Sequence, residues 1–464
     1  MNYTREKVKI IATMGPAIDS KDSVRALVEA GVDGFRINFS HGKPEDWGRY
    51  VDYIKSTEEE AKKPIALIGD LQGPNPRIGE IKNGQIKFQK GEKLRFIFAK
   101  DTESREIPIP YRRFFELAKK GDKIIMADGS IVFDVVEEGD KELYAVSEMD
   151  GILTSKKSFS LKGKDIELPY ITEQDIESLK FAGTIEFSHI MASIVETSAN
   201  IIELKQAVSK YFKEPPEIYS KIETEKGYSN MDYIINESHG VVVARGDLGS
   251  HFPIEMLPKV QKEIVKRARK AGKPVVIATQ LLTSMLNSPI PTRSEIVDIY
   301  NAVNEGADAL MLTNETAIGN FPVQAVSWLR KTIREASSIY REQRTILEDN
   351  LFHRFAYGLT MFSESLNGKI LLYTKSGLTG KIISLYRPTE GFYVGVPNSR
   401  VARKLAIIWG AFPLIIEAEK YDEGLFKLRE HLKETGDIKK GDILIETYRF
   451  KEGEIHFIRI FYLS

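Results

Sequence analysis

Cysteine is absent from the 464 residues, which excludes disulfides, thiolate nucleophiles and zinc–thiolate sites. That absence fits a reducing compartment. No uninterrupted apolar stretch approaches the roughly 20 residues that a membrane-spanning helix needs. The opening MNYTREKVKIIATMGP has neither the longer apolar stretch nor the cleavage pattern of a secretory signal, so a cytoplasmic location is expected. Net charge is missing as well: 66 Lys and Arg balance 66 Asp and Glu. That balance gives no support for a whole-protein surface for nucleic acid or acidic membrane, while a local basic cleft stays open. Neither G-x-x-x-x-G-K-[ST] nor G-x-G-x-x-G occurs, so the common phosphate-loop and dinucleotide-binding motifs are unsupported.

What is present reads as a globular protein, with 42% hydrophobic and 28% charged residues. Its length exceeds one hydrophobic core, so two or three domains are expected. VKIIATMGP, VDGFRINFSHG and PIALIGDLQGP read as strands separated by the amphipathic helices SKDSVRALVEAG and WGRYVDYIKSTEEEAKK. This βαβ rhythm predicts parallel strands with helices outside. From about 74 to 157 it gives way to short strands, IKFQ, KLRFIFA, KIIMADG, IVFDVV and ELYAVS, joined by Gly-containing turns with almost no helix. The rhythm then resumes from TIEFSHIMA through EIYSKIE, VVVARGDLG and PVVIATQ to DALMLTNE. Together these segments give about eight βα repeats, the number that closes a (β/α)₈ barrel, with an open doubly wound sheet as the rival. A charged helix around 323–348 leads to a further α/β unit, whose strands read as GKILLYTKSG, TGKIISLY, GFYVGVPN, AFPLIIEA and GDILIETY, with GEIHFIRIFYL closing the sheet. The expected domains are a barrel in two parts, 1–72 and 163–340, an inserted all-β lid at 73–162, and a C-terminal α/β domain at 345–464.

In barrels the chemistry gathers at the C-terminal ends of the strands. Those ends deliver Arg36, Asp70, Arg77, Lys221, Glu223, Arg245 and Asp247 to one rim. Lys221 and Glu223 lie two apart on a strand and therefore face the same side. Such a pair can be a structural ion pair or a solvated strand end. Glu223 and Asp247 can instead hold a hard divalent cation such as Mg²⁺, and the neighbouring cations suit an anionic substrate, Arg36 offering the fork that phosphate favours.

KIIATMGPA (9–17), FRINFSHG (35–42), SKIET (220–224), VVVARGDLG (241–249), AGKPVVIATQLLTSM (271–285), SPIPTRSEIVDIYNAV (288–303) and MLTNETAIGNFP (311–322) resemble, in order and spacing, segments of the pyruvate kinase family. The resemblance covers nearly the whole chain. It implies a (β/α)₈ barrel with a β lid and a C-terminal α/β domain, acting on phosphoenolpyruvate and ADP to give pyruvate and ATP, usually as a cytoplasmic tetramer with Mg²⁺ or Mn²⁺. By matching positions, Lys221 is the cation over the transferred phosphoryl group and Arg36 a second contact to it. Glu223 and Asp247 are the divalent-metal ligands. The backbone of Ala244, Arg245 and Gly246, with Thr279, is the cradle for the substrate carboxylate, and Thr279 lies near the carbon that gains a proton. Asn38, Ser40, Asp70 and the Leu71 carbonyl match the monovalent-cation site. His41, Arg77 and Lys157, with Asn38, match nucleotide contacts. Related enzymes bind sugar-phosphate effectors at the loop corresponding to YTKSGLTGKIIS (373–384), where a Ser/Thr/Gly turn runs into a helix.

Departures from the family pattern are specific. DLQGPNPR has Asn75 where potassium-dependent members carry glutamate, which puts the K⁺ requirement in doubt. ASIVE places Glu196 where an arginine is usual, Ser250 and His251 follow GDLG, and Ile318 replaces a lysine. None of these touches the divalent or phosphoryl centre. Rival readings are another metal–enolate barrel enzyme, a two-component phosphotransferase with a phosphohistidine domain, and a non-catalytic protein that kept the fold.

Overall fold

A computed structural model describes residues 5–126, 130–164, 166, 168–339, 345–449 and 456–464. Eight parallel strands close a barrel: Lys9–Thr13, Gly34–Asn38, Ala66–Asp70, His189–Ala192, Glu217–Ile222, Gly240–Ala244, Val275–Ala278 and Ala309–Leu312. Each hydrogen-bonds to its sequence neighbours among the eight, and the first pairs with the last, so the open-sheet rival is excluded. The strands KIIAT, ALIGD and VVIA are buried at every position. Parallel strands covered on both faces favour the apolar stretches IIA, ALIG and VVIA that these strands contain. Helix signals are local: Ser20 accepts the Ser23 N–H to start helix Lys21–Ala30, and Gly31, at φ 124°, ends it.

The chain divides into two compact units, one of them Gly73–Glu173. This inserted unit has a six-stranded sheet and a two-stranded ribbon around Phe96, Phe114 and Phe133. It extends beyond the expected boundary at 162 because Ile166 is buried in its core and Leu168 packs against it. It also contains strands Ile107–Ile109, Gly151–Thr154 and Phe159–Leu161 and a short helix, Arg112–Leu117, that the alternation pattern does not reveal. The expected strand KIIMADG is described as Lys123–Met126, its last three residues, Ala127, Asp128 and Gly129, lying outside the described residues.

The other unit holds the barrel and the C-terminal domain. In the latter, strands run in the order Ala411–Ile415, Phe392–Val396, Lys369–Tyr373, Ile443–Arg449 and His456–Tyr462, with the last antiparallel. TGKIISLY, expected as a strand, is the helix Leu378–Leu385. Its buried residues, Gly380, Ile383 and Ser384, follow helical spacing, which a short apolar run conceals. The helix expected to reach 348 is described as Pro322–Ile339, residues 340–344 lying outside the described set, and a separate helix occupies Leu351–Ser365.

The C-terminal domain meets the barrel at the N-terminal ends of its strands, opposite the ends that carry Asn38 and Asp70. Ala406 and Ile407 join the apolar cluster of Ile11, Met191, Val242 and Met311. Around them, buried charges pair across the two domains. Arg387 bonds Asp308 at 2.8 Å and the Gly306 carbonyl at 3.0 Å, Arg403 binds Glu58, and Lys381 meets Glu217 at 2.7 Å. Such pairs add little net stability when intact, but losing one partner strands a buried charge.

Burial pushes the Glu217 carboxyl up, yet Lys381 and His239 outweigh it and hold the group at about 2. A depressed carboxyl stabilises the fold above its ordinary pKa, and the contribution is lost as pH falls toward the folded value. Glu217→Gln therefore lowers the urea midpoint at pH 7. The gap from wild type should narrow between about pH 5 and about pH 2, whereas a constant gap would contradict this role.

Candidate active site

Asp70, the last residue of the third strand, is buried at the opposite end of the barrel from those domain contacts. Arg36, from the second strand, donates through Nε to Asp70 Oδ2 at 2.6 Å and through Nη1 to Thr13 Oγ1 at 3.3 Å. Lys221, from the fifth strand, brings Nζ to 3.2 Å from Asp70 Oδ1. Burial raises the Asp70 pKa, but Lys221 and Arg36 more than offset it and hold the carboxyl below its ordinary range. Lys221 responds in the opposite sense: burial lowers its pKa, and Asp70, Glu223 and Asp247 raise it further than burial depresses it. Both groups are ionised at neutral pH.

Glu223 is the odd member. Its Oε1 accepts the Ile194 N–H at 2.6 Å, while Oε2, 3.9 Å from Lys221 Nζ, is buried with no hydrogen-bond partner among the described residues. The tight partner of Lys221 is thus Asp70, not the glutamate two positions on. Burial, reinforced by the charge of Asp247 and opposed by Lys221, pushes the Glu223 pKa up to about 8. An ionised carboxylate in that position needs more positive charge than Lys221 supplies. Asp247 sits exposed in the first turn of helix Arg245–His251, which follows the sixth strand directly. No group of three or more His, Asp or Glu placed to hold a metal ion occurs among the described residues. A pair of carboxylates fits a hard cation that takes its remaining ligands from water and substrate oxygens. The unpartnered Oε2 is the donor that such an ion would take up.

Thr279 follows the seventh strand, and its Oγ1 accepts the Gly246 N–H at 2.7 Å. The hydroxyl thereby meets the Ala244–Arg245–Gly246 backbone at the start of helix Arg245–His251, where the family resemblance places a substrate-carboxylate cradle. Asn38 Oδ1 accepts the Ser40 N–H at 3.1 Å, and His41, exposed, offers its carbonyl to Trp47 Nε1 at 2.8 Å. The Leu71 carbonyl accepts the Ser193 hydroxyl at 2.6 Å. Arg77 and Lys157 belong to the inserted unit. There the Arg77 N–H donates to the Tyr111 hydroxyl and Nη1 to the Lys156 carbonyl, and the Lys157 carbonyl accepts the Ile78 N–H.

Two contributors escape the sequence reading. Ser193 reaches both the Leu71 carbonyl and, at 3.4 Å, Asp70 Oδ1, and Ile194 supplies the N–H that aims Glu223. Ile194 does so at φ 53°, a conformation costly for a β-branched residue. The signal was their place in ASIVE, just after the fourth strand. The charge reversal at Glu196 is met locally, since Lys226 pairs with it at 2.7 Å. Ser250, His251 and Ile318 are exposed.

The model for "Pyruvate kinase, barrel domain" matches residues 5–326, and that for "Pyruvate kinase, alpha/beta domain" matches 358–461. The chain belongs to the pyruvate kinase family. It is a phosphotransferase with that family's function. A pyruvate kinase of Aeropyrum pernix is 35% identical, over 98% of this chain and 99% of the relative. One from Pyrobaculum aerophilum is 37% identical, over 91% of this chain and 92% of the relative. A crystal structure of pyruvate kinase from Pyrobaculum aerophilum superposes with a TM-score of 0.84 at 34% identity, covering 98% of this chain and 99% of that one.

Proposed function

We propose that the rim around Asp70 transfers the phosphoryl group of phosphoenolpyruvate to ADP. The bond from phosphorus to the enol oxygen breaks, a bond to the terminal oxygen of ADP forms, and the enolate carbon takes a proton to give pyruvate. The observation that carries this reading is the convergence of Arg36 and Lys221 on buried Asp70, beside the incompletely bonded Glu223. Asp70 holds both cations in place, so that each can face an incoming phosphoryl group without moving. Lys221 offsets charge as the group passes from one oxygen to the other. The backbone of Ala244, Arg245 and Gly246 binds the substrate carboxylate. The Thr279 hydroxyl orients the carbon that is protonated, through ordered water. Glu223 and Asp247 would hold Mg²⁺ or Mn²⁺, which when bound neutralises substrate and developing enolate charge. Asn38 and His41 contact the nucleotide. A cytoplasmic homotetramer is the setting in this reading, with the reaction in glycolysis. The loop before helix Leu378–Leu385, where Thr374 accepts the Gly377 N–H, takes a small phosphorylated effector.

Lys221→Met keeps much of the side chain's length and removes its charge. ATP formation from phosphoenolpyruvate and ADP should fall about 10²–10³-fold, with a smaller change in substrate affinity, because the lost contact acts mainly in the transition state. Proton exchange at the pyruvate methyl group, followed separately, should survive better. A variant that transfers phosphate at the wild-type rate would return Lys221 to a structural ion pair.

The enzyme works with little or no K⁺. Asn38, Ser40, Asp70 and the Leu71 carbonyl could ligate a monovalent ion. Asp70 is already neutralised by two cations, however, and the Leu71 carbonyl is already engaged by Ser193. Asn75 also lacks the carboxylate of potassium-dependent relatives, and Pro76 stiffens the backbone before Arg77. With K⁺ replaced by a tetraalkylammonium salt at constant ionic strength, wild type should keep most of its initial rate and Asn75→Glu should acquire a K⁺ requirement. Near-complete loss in wild type would defeat this prediction.

A further inference from the structure

Thr279 and its neighbour Gln280 both adopt positive φ, 70° and 54°, although neither is glycine. Two consecutive residues in the left-handed region cost on the order of 1–3 kcal/mol each and persist only where the surroundings over-determine them. For Thr279 the cost is the greater, because its branched Cβ crowds the following carbonyl. Something nearby must hold this turn.

The surroundings supply one side chain that does so. The Arg245 backbone lies in the anion cradle, but its guanidinium turns to the seventh-strand turn. Nε and Nη2 donate to the Thr279 carbonyl at 3.1 and 2.8 Å, and Nη2 also donates to the Gln280 carbonyl at 2.8 Å. The remaining nitrogen, Nη1, meets Asp298 Oδ2 of helix Arg293–Glu305 at 2.6 Å. The planar guanidinium meets both carbonyls and Asp298 at once from three nitrogens in a fixed plane, a geometry that the single nitrogen of a flexible lysine does not reproduce. Asp298 fixes the fork from behind. Downstream, the Leu282 N–H is held by buried Glu315 at 3.0 Å, so the turn is pinned at both ends.

We infer that the Arg245 side chain is a positioning residue for Thr279: by bridging the two carbonyls it keeps the left-handed turn that aims the Thr279 hydroxyl at the Gly246 N–H. This rests on the role given to Thr279 above. Without the fork, residues 279 and 280 relax toward ordinary φ and the hydroxyl leaves the protonation site. The backbone of 244–246 lies on a different element and retains its amides. Turnover is therefore the sensitive quantity and substrate affinity the insensitive one.

The test uses the full-length enzyme with Mg²⁺, phosphoenolpyruvate and ADP, comparing wild type, Arg245→Lys and Arg245→Ala. Both variants should lose at least tenfold in kcat, and in proton exchange at the pyruvate methyl group, with KM for phosphoenolpyruvate changed less than about threefold. Millimolar guanidinium chloride should restore part of the Arg245→Ala turnover, whereas tetramethylammonium chloride at the same ionic strength should not. Wild-type kcat in Arg245→Lys, a loss confined to KM, or failure of guanidinium to restore turnover would overturn the inference. A wild type that forms no ATP would instead overturn the reading of the site on which it rests.

Discussion

The buried carboxylate of Asp70 constrains everything around it. A lone anion at the end of a barrel strand would be costly to desolvate, and it is tolerated because Arg36 and Lys221 approach from two other strands. The constraint acts in both directions. Two cations brought this close would repel one another without Asp70 between them. The barrel provides the geometry, since three non-adjacent stretches of sequence must end in one place for the triad to exist. Its consequence is a pair of cations fixed at one rim of the barrel.

Charge bookkeeping then separates the carboxylates by task. Asp70 is saturated, whereas Glu223 has one oxygen bonded to the Ile194 N–H and another without a hydrogen-bond partner among the described residues, and Asp247 stands exposed on the next rim segment. Burial acts on Asp70 and Glu223 alike, yet neighbours depress one and leave the other raised. Groups whose surroundings drive them apart in this way divide the chemistry between them. Backbone strain appears in the same places, at Ile194, which aims Glu223, and at Thr279, which touches Gly246. Meanwhile the opposite end of the barrel is closed by Ala406 and Ile407 and by ion pairs to the C-terminal domain, so stability and chemistry occupy different ends.

Much of this was legible in the sequence, for identifiable reasons. The strand–helix rhythm announced eight repeats because fully buried parallel strands leave unbroken apolar runs such as KIIAT and VVIA. Strand ends carrying Arg36, Asp70, Lys221 and Glu223 stood out because charges are out of place beside such runs. Pairing was not legible. Lys221 and Glu223, two apart on one strand, looked like each other's partners, and only the closed barrel brings Asp70 nearer. The helix Leu378–Leu385 was hidden because eight residues with several apolar positions satisfy either periodicity. The Arg245 clamp was out of reach for another reason. The motif drew attention to backbone amides, while the side chain's work depends on a turn more than thirty residues away.

In the proposed mechanism Asp70 holds the cations while Glu223 is left for a metal. The most direct measurement is a crystal structure of the enzyme with Mn²⁺ and oxalate, a mimic of enolpyruvate, with the ion located by its anomalous scattering. The expected result is one Mn²⁺ bonded to carboxylate oxygens of both Glu223 and Asp247 and to oxalate, with Arg36 and Asp70 still paired. An ion bound at Asp70, or one that touches neither Glu223 nor Asp247, would contradict it.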